Sequence, residues 1–102
     1  MDYIEATILE HLKEHGKATR GDLRYLTGLE DRQNRRVIER LRRRGEPIGI
    51  GFRGGYTYNR PEDVDRVIRF LVSKALKMLS TAAALRGRPL EGQLTIEEVQ
   101  TW

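Results

Sequence analysis

The 102-residue chain has no cysteine. Disulfides, thiolate metal sites and cysteine nucleophiles are therefore excluded, and the composition suits a reducing, cytoplasmic setting. No basic-then-apolar leader opens the chain, and no apolar run approaches the ~20 residues of a membrane span, so neither export nor a membrane is expected. His11 and His15 lie four residues apart, a spacing that can share a metal. With no further ligand type nearby they read as surface histidines on an acidic helix, and no metal or cofactor is expected. There is no phosphate loop and no nucleophile–base arrangement, and Asp63 and Asp65 read as first-turn helix residues rather than a catalytic pair. An enzyme is not expected, nor is a small-molecule effector evident. Aromatic residues are only 7% of the chain, and Phe52 alone lies near its basic stretch, so the stacking platform of a single-stranded RNA binder is missing.

What is present is one domain's worth of regularly spaced apolar residues and a strongly uneven charge. Residues 1–16 have one basic and four acidic side chains, residues 17–60 twelve basic and five acidic, and residues 61–102 six of each. The net charge of +4 therefore comes from the middle block. On a folded surface such a block is an electrostatic footprint for phosphate.

Ile4, Ile8, Leu9 and Leu12 mark an amphipathic helix capped by Asp2 and stopped by Gly16. Thr19 with Asp22 three residues on has the form of a capping box, and Leu23 and Leu26 give a short apolar face that Gly28 closes. Asp31 reads as the N-cap of a third helix ending at Gly45. Two short helices joined by a few residues containing glycine form a helix-turn-helix pattern. In "EPIGIGFRGGYTYNRP" the period changes to two. A three-residue loop, Phe52-Arg53-Gly54, pairs Ile50 with Tyr56 and Ile48 with Tyr58, puts all four apolar side chains on one face and leaves Gly54 in the left-handed position. A two-residue loop would set the tyrosines against glycines. From Pro61 to Arg86 a continuous stripe (Val64, Val67, Ile68, Leu71, Ala75, Leu76, Leu79, Ala82) predicts a helix roughly 40 Å long at 1.5 Å per residue, too long for the preceding domain to cover. The tail, residues 88–102, is loop-like, with Thr95 and Glu98 as a capping box for a last short helix ending at Trp102.

This order of elements, with a hairpin closing on "GGYTY", resembles the winged-helix DNA-binding family over residues 3 to 59. It is similar to the N-terminal DNA-binding modules of bacterial repressors, and to small dimeric regulators, many from phages and prophages. The repressors continue into a ligand-binding domain, whereas here a long helix is expected in its place. The resemblance implies an α+β, mostly α fold: a winged helix (three helices plus a β-hairpin wing) over residues 1–60, a long amphipathic dimerisation helix over 61–87, and the tail. It also implies that the third helix lies in the major groove while the hairpin tip touches phosphate or the minor groove.

On a helical wheel Asn34, Val37, Ile38 and Leu41 form the buried stripe of "DRQNRRVIERLRRRG". Arg32, Arg36, Glu39 and Arg43 lie opposite, Arg35, Arg40 and Arg42 flank them, and Arg44 falls near the buried side. Because the start of a recognition helix reads bases, Arg32, Gln33, Arg35 and Arg36 are the base-reading candidates; Arg40, Arg43, Phe52 and Arg53 are the phosphate and wing candidates. Phe52 has an alternative place in the core, Tyr25 a phosphate or a core-edge role, and Glu39 either a cytosine or a neighbouring arginine. A merely solvated basic face would interleave acids in similar number, whereas here seven arginines face one glutamate between Arg32 and Arg44. The leading expectation is a sequence-specific duplex-DNA-binding regulator, homodimeric through Leu71, Ala75, Leu76, Leu79, Ala82 and Leu85. The alternative is a winged-helix interaction adaptor, phage or replication related, with weak or non-specific DNA binding.

Overall fold

The computed structural model describes residues 1–51 and 53–87. The elements run α1 (Tyr3–His15), β1 (Lys17–Ala18), α2 (Arg20–Thr27), α3 (Asp31–Arg43), β2 (Ile48–Ile50), β3 (Tyr56–Tyr58) and α4 (Pro61–Leu85). The fold is α+β and mostly helical, with a three-stranded antiparallel sheet in the order β1-β3-β2. Two compact units, Met1–Ile68 and Arg69–Trp102, divide the chain within α4.

Local chemistry sets the helix ends. Asp2 accepts the Glu5 N–H at 2.8 Å, and Gly16 closes α1 in the left-handed region. The Thr19–Asp22 box is reciprocal, with 2.9 Å bonds in both directions, and Gly28 ends α2. The N-cap of α3 is Glu30 rather than the expected Asp31. The Glu30 N–H donates to Gln33 Oε1 at 3.1 Å, while Asp31 is already helical and turns to Arg35. A short α2–α3 turn is held by polar groups. The Thr27 hydroxyl lies 2.9 Å from both Leu23 O and Asn34 Oδ1 and accepts the Leu29 N–H, and buried Asn34 donates to Leu29 O at 3.4 Å.

Ile8, Leu9, Leu12, Leu23, Val37, Ile38, Leu41, Ile48 and Tyr56 form one core, with Ile4 and Tyr58 packed on its edge. Leu26 stays outside it, 37% exposed, so the apolar face of α2 is essentially Leu23. The hairpin has the expected register, Ile48 opposite Tyr58 and Ile50 opposite Tyr56. The Gly51 N–H donates to Gly55 O, and Gly54 takes φ +80°. Strand β1 was not foreseen. Its two residues pair with Thr57 and Tyr56, completing a sheet that no local pattern announces.

The opposite face of the hairpin receives the start of α4. A Cβ on Gly49 would lie 2.5 Å from Asp63 Cβ, so only glycine permits this approach. The Thr57 hydroxyl, buried here, donates to Asp63 Oδ2 at 2.8 Å, and Arg66 donates to Ile50 O at 3.0 Å. These bonds fix the first turns of α4 to the strands. Further along, Phe70, Leu71, Val72, Leu76, Met78 and Leu85 are all more than half exposed.

Candidate nucleic-acid interface

The seven arginines of α3 and its C-cap divide by position. Val37, Ile38, Leu41 and Asn34 seat the helix, which leaves Arg32, Gln33, Arg35 and Arg36 exposed on its first turns. Arg32 and Arg36 form no ion pair among the described residues. Arg35 meets Asp31 at 3.3 Å, and Arg43 meets Glu39 at 3.5 Å. Both are solvent-facing i,i+4 pairs, worth only about 0.3–0.5 kcal/mol and readily exchanged for a phosphate. The Arg43 pair accounts for Glu39 without a base contact. Gln33 spends its carbonyl oxygen on the helix cap, leaving its amide donors for other partners.

The other three arginines have structural partners. Arg42 lies on the sheet side, donating to Ile48 O at 2.8 Å and Gly49 O at 3.4 Å, with its guanidinium 5.9 Å from the centre of the Tyr56 ring. Burial lowers its pKa from the ordinary arginine value. Arg40, a phosphate candidate from sequence, turns instead to α1, where its Nε lies 3.2 Å from Glu5 Oε1 and its Nη2 3.9 Å from Asp2. Arg44 bonds the other Glu5 oxygen. Arg53 is exposed on the hairpin loop, whereas Phe52 lies outside the described residues.

A second basic surface escaped the sequence reading. Between the β1–α2 junction and the hairpin loop lies a groove of about 690 Å³, bordered by Lys17, Arg20, Arg53 and Arg60, with Tyr56 in its wall. Its acidic lining residue is Asp22, whose carboxylate accepts the Thr19 N–H and is held below the usual Asp pKa chiefly by its bonds to Thr19. Burial raises the Tyr56 pKa, and Asp31 adds to this, while Arg42, Arg20 and Arg35 act against it. The Tyr56 hydroxyl is thus within electrostatic reach of both the groove and the start of α3. The available signal is the charge of residues 17–60, twelve basic against five acidic side chains, which exceeds what α3 and the hairpin tip hold.

Tyr25 is 92% exposed beside Arg24, so its core-edge reading falls. The His11 and His15 rings lie with centroids 4.4 Å apart and tilted 41° to each other, and no cluster of three potential metal ligands occurs among the described residues. Among the same residues no helix is long and apolar enough to cross a membrane. Of the dimerisation candidates, Leu71, Ala75, Leu76 and Leu85 are exposed and Leu79 and Ala82 half-buried. The tail and its Thr95–Glu98 cap lie outside the described residues. No protein-family model, characterised protein or solved structure matches the chain.

Proposed function

We propose that the protein is a winged helix-turn-helix protein that binds duplex DNA sequence-specifically, as a small transcriptional regulator. In this reading α3 enters the major groove, the β2–β3 hairpin is the wing, and the groove cations meet the flanking backbone. The observation that carries it is the outward presentation of Arg32 and Arg36, free of ion pairs among the described residues, on a helix capped and anchored on its other face. The major groove, about 12 Å wide, admits an α-helix, and a guanidinium fork there matches guanine O6 and N7. Lys17, Arg20, Arg53 and Arg60 supply phosphate contacts that orient the domain without reading sequence.

The exposed apolar side chains of α4 support a homodimer through that helix. A two-fold dimer would read an inverted repeat with half-sites about 34–36 Å apart, or a multiple of that spacing. Duplex binding followed by fluorescence anisotropy against salt tests the reading. With six phosphates neutralised, affinity should fall roughly 10³-fold between about 50 and 200 mM salt. Salt-independent binding, or no binding at low salt, would refute it. Light scattering during size-exclusion chromatography tests the dimer, and a monomer at high concentration would remove that part.

A further inference from the structure

Glu5 occupies an unusual place for a carboxylate. It lies on the buried stripe of α1, one residue after Ile4 and before Ile8 and Leu9, and is only 3% exposed. An apolar side chain there would simply extend the stripe. A buried ion pair seldom stabilises a fold more than well-packed apolar residues of similar volume, so stability alone does not account for a glutamate. What a carboxylate does that leucine cannot is hold cations. Glu5 holds two, Arg40 on Oε1 and Arg44 on Oε2, and these stand four residues apart on the α1-facing side of α3.

We infer that Glu5 is a positioning residue for specificity, a clamp that withholds Arg40 and Arg44 from phosphate. This rests on the DNA-binding reading above for its biological sense, though not for its physical test. Every arginine free to meet phosphate strengthens binding to all sequences alike, adding about 0.9 to the slope of log affinity against log salt. Base discrimination comes from the few guanidiniums that reach base edges. Clamping two of the seven arginines therefore lowers the background without removing a base contact. It also relieves the like-charge i,i+4 repulsion between Arg40 and Arg44. Asp2, 3.9 Å from Arg40, reinforces the clamp from the helix cap.

The test compares single-charge removals on one random-sequence duplex, with the salt slope as the readout. Arg53→Gln, at an exposed phosphate candidate, should lower the slope by about 0.9, whereas Arg40→Gln and Arg44→Gln should leave it at the wild-type value. Each of the latter leaves Glu5 one arginine, so the carboxylate stays partnered. Glu5→Gln should steepen the slope by up to about 1.8 and raise affinity for the random duplex. If Glu5→Gln does not fold, the arginine variants decide alone. A slope lowered by Arg40→Gln or Arg44→Gln as much as by Arg53→Gln overturns the clamp, as does an unchanged slope in folded Glu5→Gln. Elution from immobilised heparin repeats the comparison without requiring DNA function. Loss of Arg53 should bring earlier elution and loss of Arg40 or Arg44 should not. That pattern in a protein that binds no duplex would reject the proposed function and keep the clamp; equal shifts for all three variants would reject the clamp.

Discussion

From Arg32 to Arg36, α3 turns guanidiniums outward; from Arg40 to Arg44, the same residue type mostly lies against the protein and bonds its groups. Arg42 satisfies two strand carbonyls, and Arg40 and Arg44 share a buried carboxylate, leaving Arg43 as the outward cation of that end. One helix thus has a presenting end and a fastening end. Arginine composition is therefore a poor measure of an anion-binding surface, because a guanidinium already paired at short range has less to gain from a phosphate. The distinguishing quantity is which carbonyls and carboxylates each fork meets, some on nearby β2 and others on α1, 35 and 39 residues away.

The division can be attacked from either end. The largest effect is expected at the buried side of the fastening end: Leu41→Ala should cost about 2–5 kcal/mol, a large part of the stability of so small a unit. Urea denaturation followed by far-ultraviolet circular dichroism measures it. Arg42→Met should cost roughly 1–3 kcal/mol by leaving the Ile48 carbonyl without its donor. Its folded fraction should keep the wild-type salt slope, and a slope lowered by about 0.9 would blur the two ends. At the presenting end the pattern reverses. Arg36→Ala should leave stability within about 0.5 kcal/mol. It should weaken binding to a selected site by roughly 1–3 kcal/mol and relax preference at one position. Equal losses on all sequences would move Arg36 from base to phosphate.

The smallest effect concerns the groove. The Asp22 carboxyl has a folded pKa below its ordinary value because it accepts the Thr19 N–H. The unfolded state binds that proton more readily, so the capping contribution is present above about pH 4 and is lost as pH falls through the lower folded value. In Asp22→Asn this part of the acid-side loss should vanish. Denaturation midpoints at pH 6 and pH 3 measure it, and the difference between them should be smaller in the variant.

How much of this was legible beforehand follows from locality. The caps at Asp2 and Thr19, the stops at Gly16 and Gly28 and the hairpin register all depend on residues within a few positions of one another, and each appears in the structure. The true cap of α3 had a local sign as well: Glu30 precedes Gln33 by three residues, the spacing of a reciprocal cap, but adjacent Asp31 is the commoner cap type. Arg42 was also within reach, since it follows Leu41 and stands only four residues after Ile38, next to the buried stripe. Strand β1 was not, because two residues form a strand only when Thr57 and Tyr56 arrive from some forty positions away. Nor was the Glu5 clamp, whose partners lie 35 and 39 residues along the chain. The unmet apolar surface of α4 was foreseen from its length, and the exposure of Leu71, Leu76 and Leu85 agrees with that expectation.

On the proposed reading, the presenting end of α3 reads duplex sequence. Selection of bound duplexes from a random pool, at near-physiological salt, tests it most directly. Enrichment of an inverted repeat is expected, with its preference weakened at one position in Arg36→Ala. A pool that stays unenriched while the protein still binds duplex would contradict it, leaving α3 as a basic surface that holds DNA without reading it.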